Sequence, residues 1–363
     1  MVAPLLRAAY AGLTAVLAYI VSLLSRLAPS SKDDVYRALD HRALNLPLSS
    51  DAGEDGVPET EWMNMGWWTS VDEGEIVRDK PFPQACEDLA RRFYSSAGLQ
   101  PSASPSNGPV VLDVGHGYGE SLLFLSRSYT PSQLDGITYS PLEASRARQR
   151  LAEAKTGVPI TVMEGDATAV LSRTSTKYDY IFALDCAYHF PSMQAFLQAA
   201  QDRLKPGGTL ALFDLFMDEA YPSSKPAAWF KTDFRVDPPP QLRSRFSHYI
   251  NQALIFCLSK SSPPVTLHPF PGYHSLLRRV FGSSAIIEIE DVTSNVFPGF
   301  STYLARFGAS QNGDRGMRFG MRLFSKLLAR WAKGGDGGLV RCGIVVIKKA
   351  ARADEGNALE NGE

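Results

Sequence analysis

The chain lacks most of the features that assign a protein early. Among 363 residues there are 4 cysteines, and Cys86, Cys186, Cys257 and Cys342 form no C-x-x-C pair and have no companion histidine spacing. Zinc motifs and a disulfide framework are therefore excluded, no metal site is expected, and a reducing compartment fits. Charge of one sign is also missing. With 37 Lys+Arg against 38 Asp+Glu the net charge is −1, so no global field draws the chain to nucleic acid. The length suffices for one large core plus additions.

Near the N-terminus it is charge that is absent. Between Arg7 and Arg26 runs the uncharged, alanine-rich stretch Ala8 to Leu24, at the short end of what spans a bilayer. A cleaved signal peptide needs a small-x-small site where Arg26 intervenes. A soluble amphipathic helix needs polar residues at helical period, and few are present. A membrane anchor over residues 1–30 fits best. Arg26, Lys32, Arg37 and Arg42 follow it while Arg7 alone precedes it. That asymmetry places the main domain on the cytosolic side, with the endoplasmic reticulum one membrane that fits.

What is present is a run of β and α patterns. Residues 31–61 read as a polar connector, followed by the aromatic island Trp62-Met-Asn-Met-Gly-Trp-Trp68 and a helix over about 81–98. From Val110 strands alternate with helices: strands at Val110–Val114, Leu134–Thr138, Ile160–Met163, Tyr178–Ala183 and Thr209–Leu215. Strands separated by helices imply βαβ units and a parallel, doubly wound sheet. A helix at Tyr273–Phe281 and strands near Ala285–Asp291 and Leu339–Ile347 complete it. Between them, residues 216–272 are too long and apolar for a simple connection and read as a helical cap. The charged tail at 350–363 reads as disordered.

The stretch Val111 to Glu120, VLDVGHGYGE, is the richest in chemistry. An apolar strand passes through Asp113 into Gly115, Gly117 and Gly119 and then into a helix. Glycines there let a ligand lie against bare main chain at a helix N-terminus. The spacing is one residue tighter than the dinucleotide fingerprint G-x-G-x-x-G, and no carboxylate ends the second strand. A nicotinamide enzyme would want both.

Four further segments stand in order behind that loop: Leu134-Asp-Gly-Ile-Thr-Tyr-Ser-Pro141, Glu164-Gly-Asp-Ala167, Tyr178 to Asp185, and Leu204-Lys-Pro-Gly-Gly208. Over residues 62–349 the set resembles a class I S-adenosylmethionine-dependent methyltransferase. Within that class it is closest to the small-molecule and lipid branch that holds sugar, tocopherol, sterol and cyclopropane-forming enzymes. The resemblance implies an α/β, Rossmann-like, seven-stranded and mostly parallel sheet, with the cap inserted and the apolar helix in front. It implies S-adenosyl-L-methionine as cofactor, held by Asp113, Gly115, Gly117, Gly119, Thr138, Tyr139, Ser140, Asp166, Ala167 and Asp185. Thr138 stands where many class I enzymes carry the ribose-binding carboxylate, and Asp135, earlier in the strand, points elsewhere. The island Trp62 to Trp67 looks like the branch's aromatic N-terminal motif, and Tyr188-His189 like its substrate-facing motif.

Roles follow from position. His189, just past the fourth strand, is the candidate base for methylation at oxygen or nitrogen, or a residue that orients substrate or caps a helix. Asp214 either assists it or is a buried, hydrogen-bonded carboxylate. Asp185 contacts ligand or caps. Trp67, Trp68 and Tyr188 wall a substrate chamber or pack the core. Residues 313–335 interleave Arg315, Arg318, Arg322, Lys326, Arg330 and Lys333 with apolar residues. Such a helix either lies on an anionic membrane or packs on its own domain with a solvated basic face.

The resulting expectation is a membrane-associated methyltransferase acting on a lipophilic small molecule. C-methylation or cyclopropane formation on a lipid or isoprenoid is the chemical alternative. A non-catalytic methyltransferase-like binding protein is the alternative of another class. The residues leave the acceptor and the oligomeric state open.

Overall fold

The computed structural model describes residues 41–48, 58–70, 76–77, 79–102, 104–217, 266–333 and 340–351. Strands β1 (Val110–Val114), β2 (Gln133–Thr138), β3 (Ile160–Glu164), β4 (Tyr178–Leu184), β5 (Leu204–Met217), β6 (His268–Pro269), β7 (Ile286–Asp291) and β8 (Val340–Lys348) join in one sheet. Its order is β3-β2-β1-β4-β5-β8-β7, with β6 paired to the end of β5. The seven strands of that path are the number expected, and the two-residue β6 is an addition. Only β8 runs against its neighbours β5 and β7.

The side-chain period of a strand assigns the two faces. Val111, Phe182, Leu184, Ala211 and Phe213 point to one layer. Leu112, Val114, Ile181, Ala183, Leu210 and Leu212 point to the other. Both sets are buried, so the strands read as near-continuous apolar runs, as a doubly covered parallel sheet requires. The first layer is built by α2 (Phe82–Ser96), α3 (Glu120–Ser128), α8 (Thr293–Ala309) and α9 (Arg315–Trp331). The second is built by α5 (Ala167–Arg173), α6 (Met193–Arg203) and α7 (Phe270–Phe281). Helix α4 (Pro141–Ala154) flanks β2 and β3.

Two expectations change. The polar connector is partly core: α1 (His41–Leu44) buries Ala43 and Leu44, and Leu44 O accepts from the Tyr303 hydroxyl. The flanks of the expected 216–272 cap also belong to the sheet, since Phe216 pairs with His268 and Met217 with Pro269. Helix α8, for which the sequence carried no expectation, holds a Pro298-Gly299 pair at its centre. Its packing explains the glycine: a Cβ at Gly299 would stand 2.0 Å from Trp68 Cβ.

Residues 218–265, the N-terminal segment 1–40 and the tail 352–363 lie outside the described residues. Among the described residues no helix is long and apolar enough to cross a membrane.

Candidate functional site

The sheet order reverses between β1 and β4, and open α/β sheets bind ligands at the carboxyl edge beside such a switch point. A cavity of about 390 Å³ opens there. Its floor is the Asp113–Gly117 turn. Ile137 to Ser140, Gly165 to Ala167, Leu184 to Cys186 and Tyr188 to Pro191 form the walls, and Glu61 to Asn64 close one side.

The floor explains the tight glycine spacing. Gly115, Gly117 and Gly119 have φ of +77°, +55° and +87°, the left-handed region that disfavours a side chain. Space is closed as well: a Cβ at Gly115 would lie 2.5 Å from Cys186 Sγ, and one at Gly117 2.7 Å from Met63 Sδ. Gly115 and Gly117 expose main chain to the cavity, and Gly119 caps the N-terminus of α3.

Of the six carboxylates that line the cavity, Asp113, Asp185 and Glu143 each have a distinct support. Asp113 accepts from the Ser121 hydroxyl at 2.5 Å, and burial pushes its pKa up to about 7. Asp185 is also pushed up to about 7 by burial, although the Tyr188 hydroxyl (2.9 Å) and Met65 N–H (2.7 Å) donate to it. Its φ of +63° is strained for a non-glycine residue, and such strain concentrates at working sites. Glu143 accepts from the Thr138 hydroxyl at 2.5 Å and is buried against the cavity. The carboxylate absent from the end of β2 thus returns from the first turn of α4.

A strap formed by residues 61–68 packs across this site. Glu61 is buried among Arg42, Arg146 and Arg150 at 3.2, 2.9 and 3.9 Å. Its N–H donates to Glu120 Oε2 at 2.8 Å, and Glu120 pairs with Arg150 in turn. Asn64 donates to Cys86 O and accepts from Gly66 N–H, and Trp68 Nε1 donates to Met65 O. Trp62, Met63 and Asn64 are thereby fixed as a cavity wall.

The sequence-derived residues divide as follows. Asp113, Gly115, Gly117, Thr138, Tyr139, Ser140, Asp166, Ala167, Asp185, Tyr188 and His189 share the cavity. Ser140 and Asp166 also cap α4 and α5, accepting from Glu143 N–H and Ala169 N–H. Gly119 lies just behind, against Ala147 of α4. Asp135 turns away to the Tyr178 hydroxyl.

Three residues are not where a site role would put them. Asp214 does not line the cavity; it accepts from the Tyr273 hydroxyl at 2.9 Å and from Leu215 N–H, in the second layer. Trp68 is core, packed on Tyr303 and Phe300. Trp67 packs outside the cavity, with the Arg92 guanidinium 5.9 Å from its ring centre. Trp62 supplies the aromatic wall instead.

Two lining residues had no separate sequence signal. Glu143 hides in the S-x-x-E pattern of Ser140 to Glu143, which reads as an ordinary capping box. His116, within the glycine turn, is buried so that its pKa falls to about 4. Its Nδ1 sits 2.9 Å from Gly117 O, and its Nε2 has no partner among the described residues.

Comparison with known proteins agrees with this geometry. A family model described as "Methyltransferase domain" matches residues 111–208, from the glycine turn to Lys205-Pro-Gly-Gly208. Erythromycin 3''-O-methyltransferase of Saccharopolyspora erythraea is 26% identical over 69% of this chain and 71% of its own length. The chain carries a methyltransferase domain and is an S-adenosylmethionine-dependent methyltransferase. Sterol 24-C-methyltransferase of Yarrowia lipolytica is 23% identical to this methyltransferase over 46% of the chain and 42% of its own length. A mycolic acid cyclopropane synthase crystallised with S-adenosylhomocysteine shares the fold, with a TM-score of 0.55 and 16% identity over 86% of this chain and 98% of that one.

The methyltransferase cavity fits its cofactor. Glu143 would take the ribose hydroxyls, and Ile137, Ala167 and Leu184 offer apolar surface to a flat base. Asp113 and Asp185 would face the cationic sulfonium and ammonium groups, whose charge favours the ionised carboxylates that burial disfavours. The unpartnered Nε2 of His116 leaves one polar atom on this wall for a ligand.

Proposed function

We propose that this methyltransferase is membrane-associated, faces the cytosol, and methylates a lipophilic small molecule at oxygen or nitrogen with His189 as base. The observation that carries the reading is the shared cavity. His189 and Tyr188 stand on one wall, the glycine turn forms the floor, and Trp62, Met63, Ile137, Leu184 and Phe190 make most of the rest apolar. An apolar acceptor loses water on entry, and the His189 imidazole then stands on that wall to take its proton. The bound cofactor supplies an electrophilic methyl group on sulfur. The chain positions the acceptor: the Asp185–Tyr188 hydrogen bond fixes the aromatic wall, the strap excludes water, and a correctly placed nucleophile needs little more.

The relatives support an acceptor of this kind without identifying it, since one bears a name for O-methylation and another for C-methylation of a sterol. Carbon as the acceptor atom is the second reading. Asp185 and Tyr188 beside the Trp62 ring would stabilise a carbocation as well as orient an alcohol.

Incubating the enzyme with isotopically labelled cofactor and a membrane lipid extract, followed by mass analysis of the product, separates the readings. Label on oxygen or nitrogen is expected; label on carbon would establish the second. His189→Ala should lower kcat by about 10²-fold or more and leave cofactor affinity unchanged. An unaltered kcat would remove the imidazole from the chemistry.

A further inference from the structure

Helix α9 buries Met317, Met321, Leu328 and Trp331 against α8 and its surroundings, with Phe297 and Trp331 rings 6.1 Å apart. At about 100° per residue, the opposite side of the helix gathers Arg315, Phe319, Leu323, Lys326 and Arg330 into one stripe. Phe319 is 63% exposed and Leu323 47%. From Arg315 to Lys333 there are six basic residues and no acidic one, in a chain whose net charge is −1. The rest of the molecule is therefore net acidic, and this helix is its cationic pole.

We propose that this outward stripe is a docking surface for an anionic lipid bilayer. The inference deepens the membrane-surface reading given above and rests on it, by naming which face makes the contact. A basic face meant only for water has no use for a phenylalanine and a leucine one turn apart at its centre. A helix lying in the headgroup layer uses both, the apolar pair entering the acyl boundary while the long cationic side chains reach phosphates on either side. Shape agrees with charge. The stripe runs along a convex helix of about 25 Å, which suits a flat surface better than a peptide seeking a groove. Arg318 and Arg322 are held differently, donating to Gly313 O and Gly308 O, and they brace the helix on its own domain.

The test is flotation of the full chain with phosphatidylcholine vesicles and with vesicles that also contain phosphatidylserine. Binding to the anionic vesicles should exceed binding to neutral ones and should weaken as salt is raised. The pair Arg315→Gln with Lys326→Gln should lower the partition about thirtyfold. The pair Phe319→Ser with Leu323→Ser should lower it about tenfold or more. Both should keep the parent's cofactor affinity, which shows that they are folded.

Variants that float as the parent does would overturn the assignment of this face while leaving membrane association intact. So would equal binding of the parent to neutral and anionic vesicles, which would credit Ala8 to Leu24. If the parent floats with neither but is retained by polyglutamate, the stripe serves an acidic protein, and the membrane reading fails with it.

Discussion

Asp214 shows how far a residue type can mislead on its own. It sits near the carboxyl end of a central strand, where a catalytic carboxylate is expected, yet the strand period turns it into the second layer beside Tyr273, and it does not line the cavity. There Tyr273 and Leu215 satisfy it, and burial raises its pKa to about 7. The consequence is measurable. Between the ordinary carboxylate pKa near 4 and about 7, the folded state holds a proton that the unfolded state has released. This site's contribution to stability is therefore full at low pH and falls as pH rises through that window, by at most about 1.4 kcal/mol per pH unit. Asp214→Asn removes the titration. The stability difference between parent and variant, followed by denaturant unfolding, should decline from about pH 4 to about pH 7 and then level off. A difference that stays flat would mean the carboxyl is ionised throughout. Glu143 is the opposite case: a residue with an ordinary capping explanation that turns out to line the cavity. Both cases share one cause. Type and spacing report local chemistry, whereas the face on which a side chain emerges depends on the neighbouring strands.

At the scale of elements, the strands and helices from Val110 to Leu204 were legible because their hydrophobic periods are undisturbed, and Pro141 and Ser192 sit near their helix starts. Legibility failed at α8, where a tertiary contact set the residue. Gly299 is there because Trp68 leaves no room for a methyl group, and Pro298 is tolerated within the helix that surrounds it. In sequence the pair looks like a turn; in the fold it is the closest approach of the strap to the helical layer. Gly299→Ala gains helix propensity and still should destabilise the protein, because overpacking costs about 1–3 kcal/mol against under 1 kcal/mol gained. A fall in Tm is expected, and Trp68→Phe should not reverse it, because phenylalanine keeps the Cβ and Cγ that the new methyl group would meet. A rise in Tm would show that Trp68 moves aside at no cost.

Across the whole molecule, the strap links parts of the chain that sequence proximity keeps apart. Glu61 gathers guanidiniums from the segment before it and from α4, Met65 reports to Asp185 beyond β4, and Trp68 N–H reaches Asn295 O in α8. Removing one partner of such a buried ionic group costs about 3–5 kcal/mol, lessened here because Arg146 is partly exposed. Glu61→Gln should therefore loosen the strap before it unfolds the sheet. Hydrogen exchange should quicken at the Trp62 and Met65 amides, cofactor affinity should drop, and β4 and β5 should exchange as in the parent. Uniform acceleration everywhere would assign Glu61 to global stability instead. None of these links is visible in the sequence, because each joins groups whose separation in the chain carries no periodic signal.

The pairing of Phe216 with His268, beside the Thr266 N–H bond to Tyr188 O, has a consequence of its own. The chain leaves the sheet after Met217 and rejoins it one strand spacing away, at the rim of the substrate wall. Both exit and entry are clamped by backbone pairing, so the sheet fixes the two points between which any change of chain length falls. The glycine turn and its neighbouring walls lie on β1, β2 and β4, so such a change leaves their register untouched.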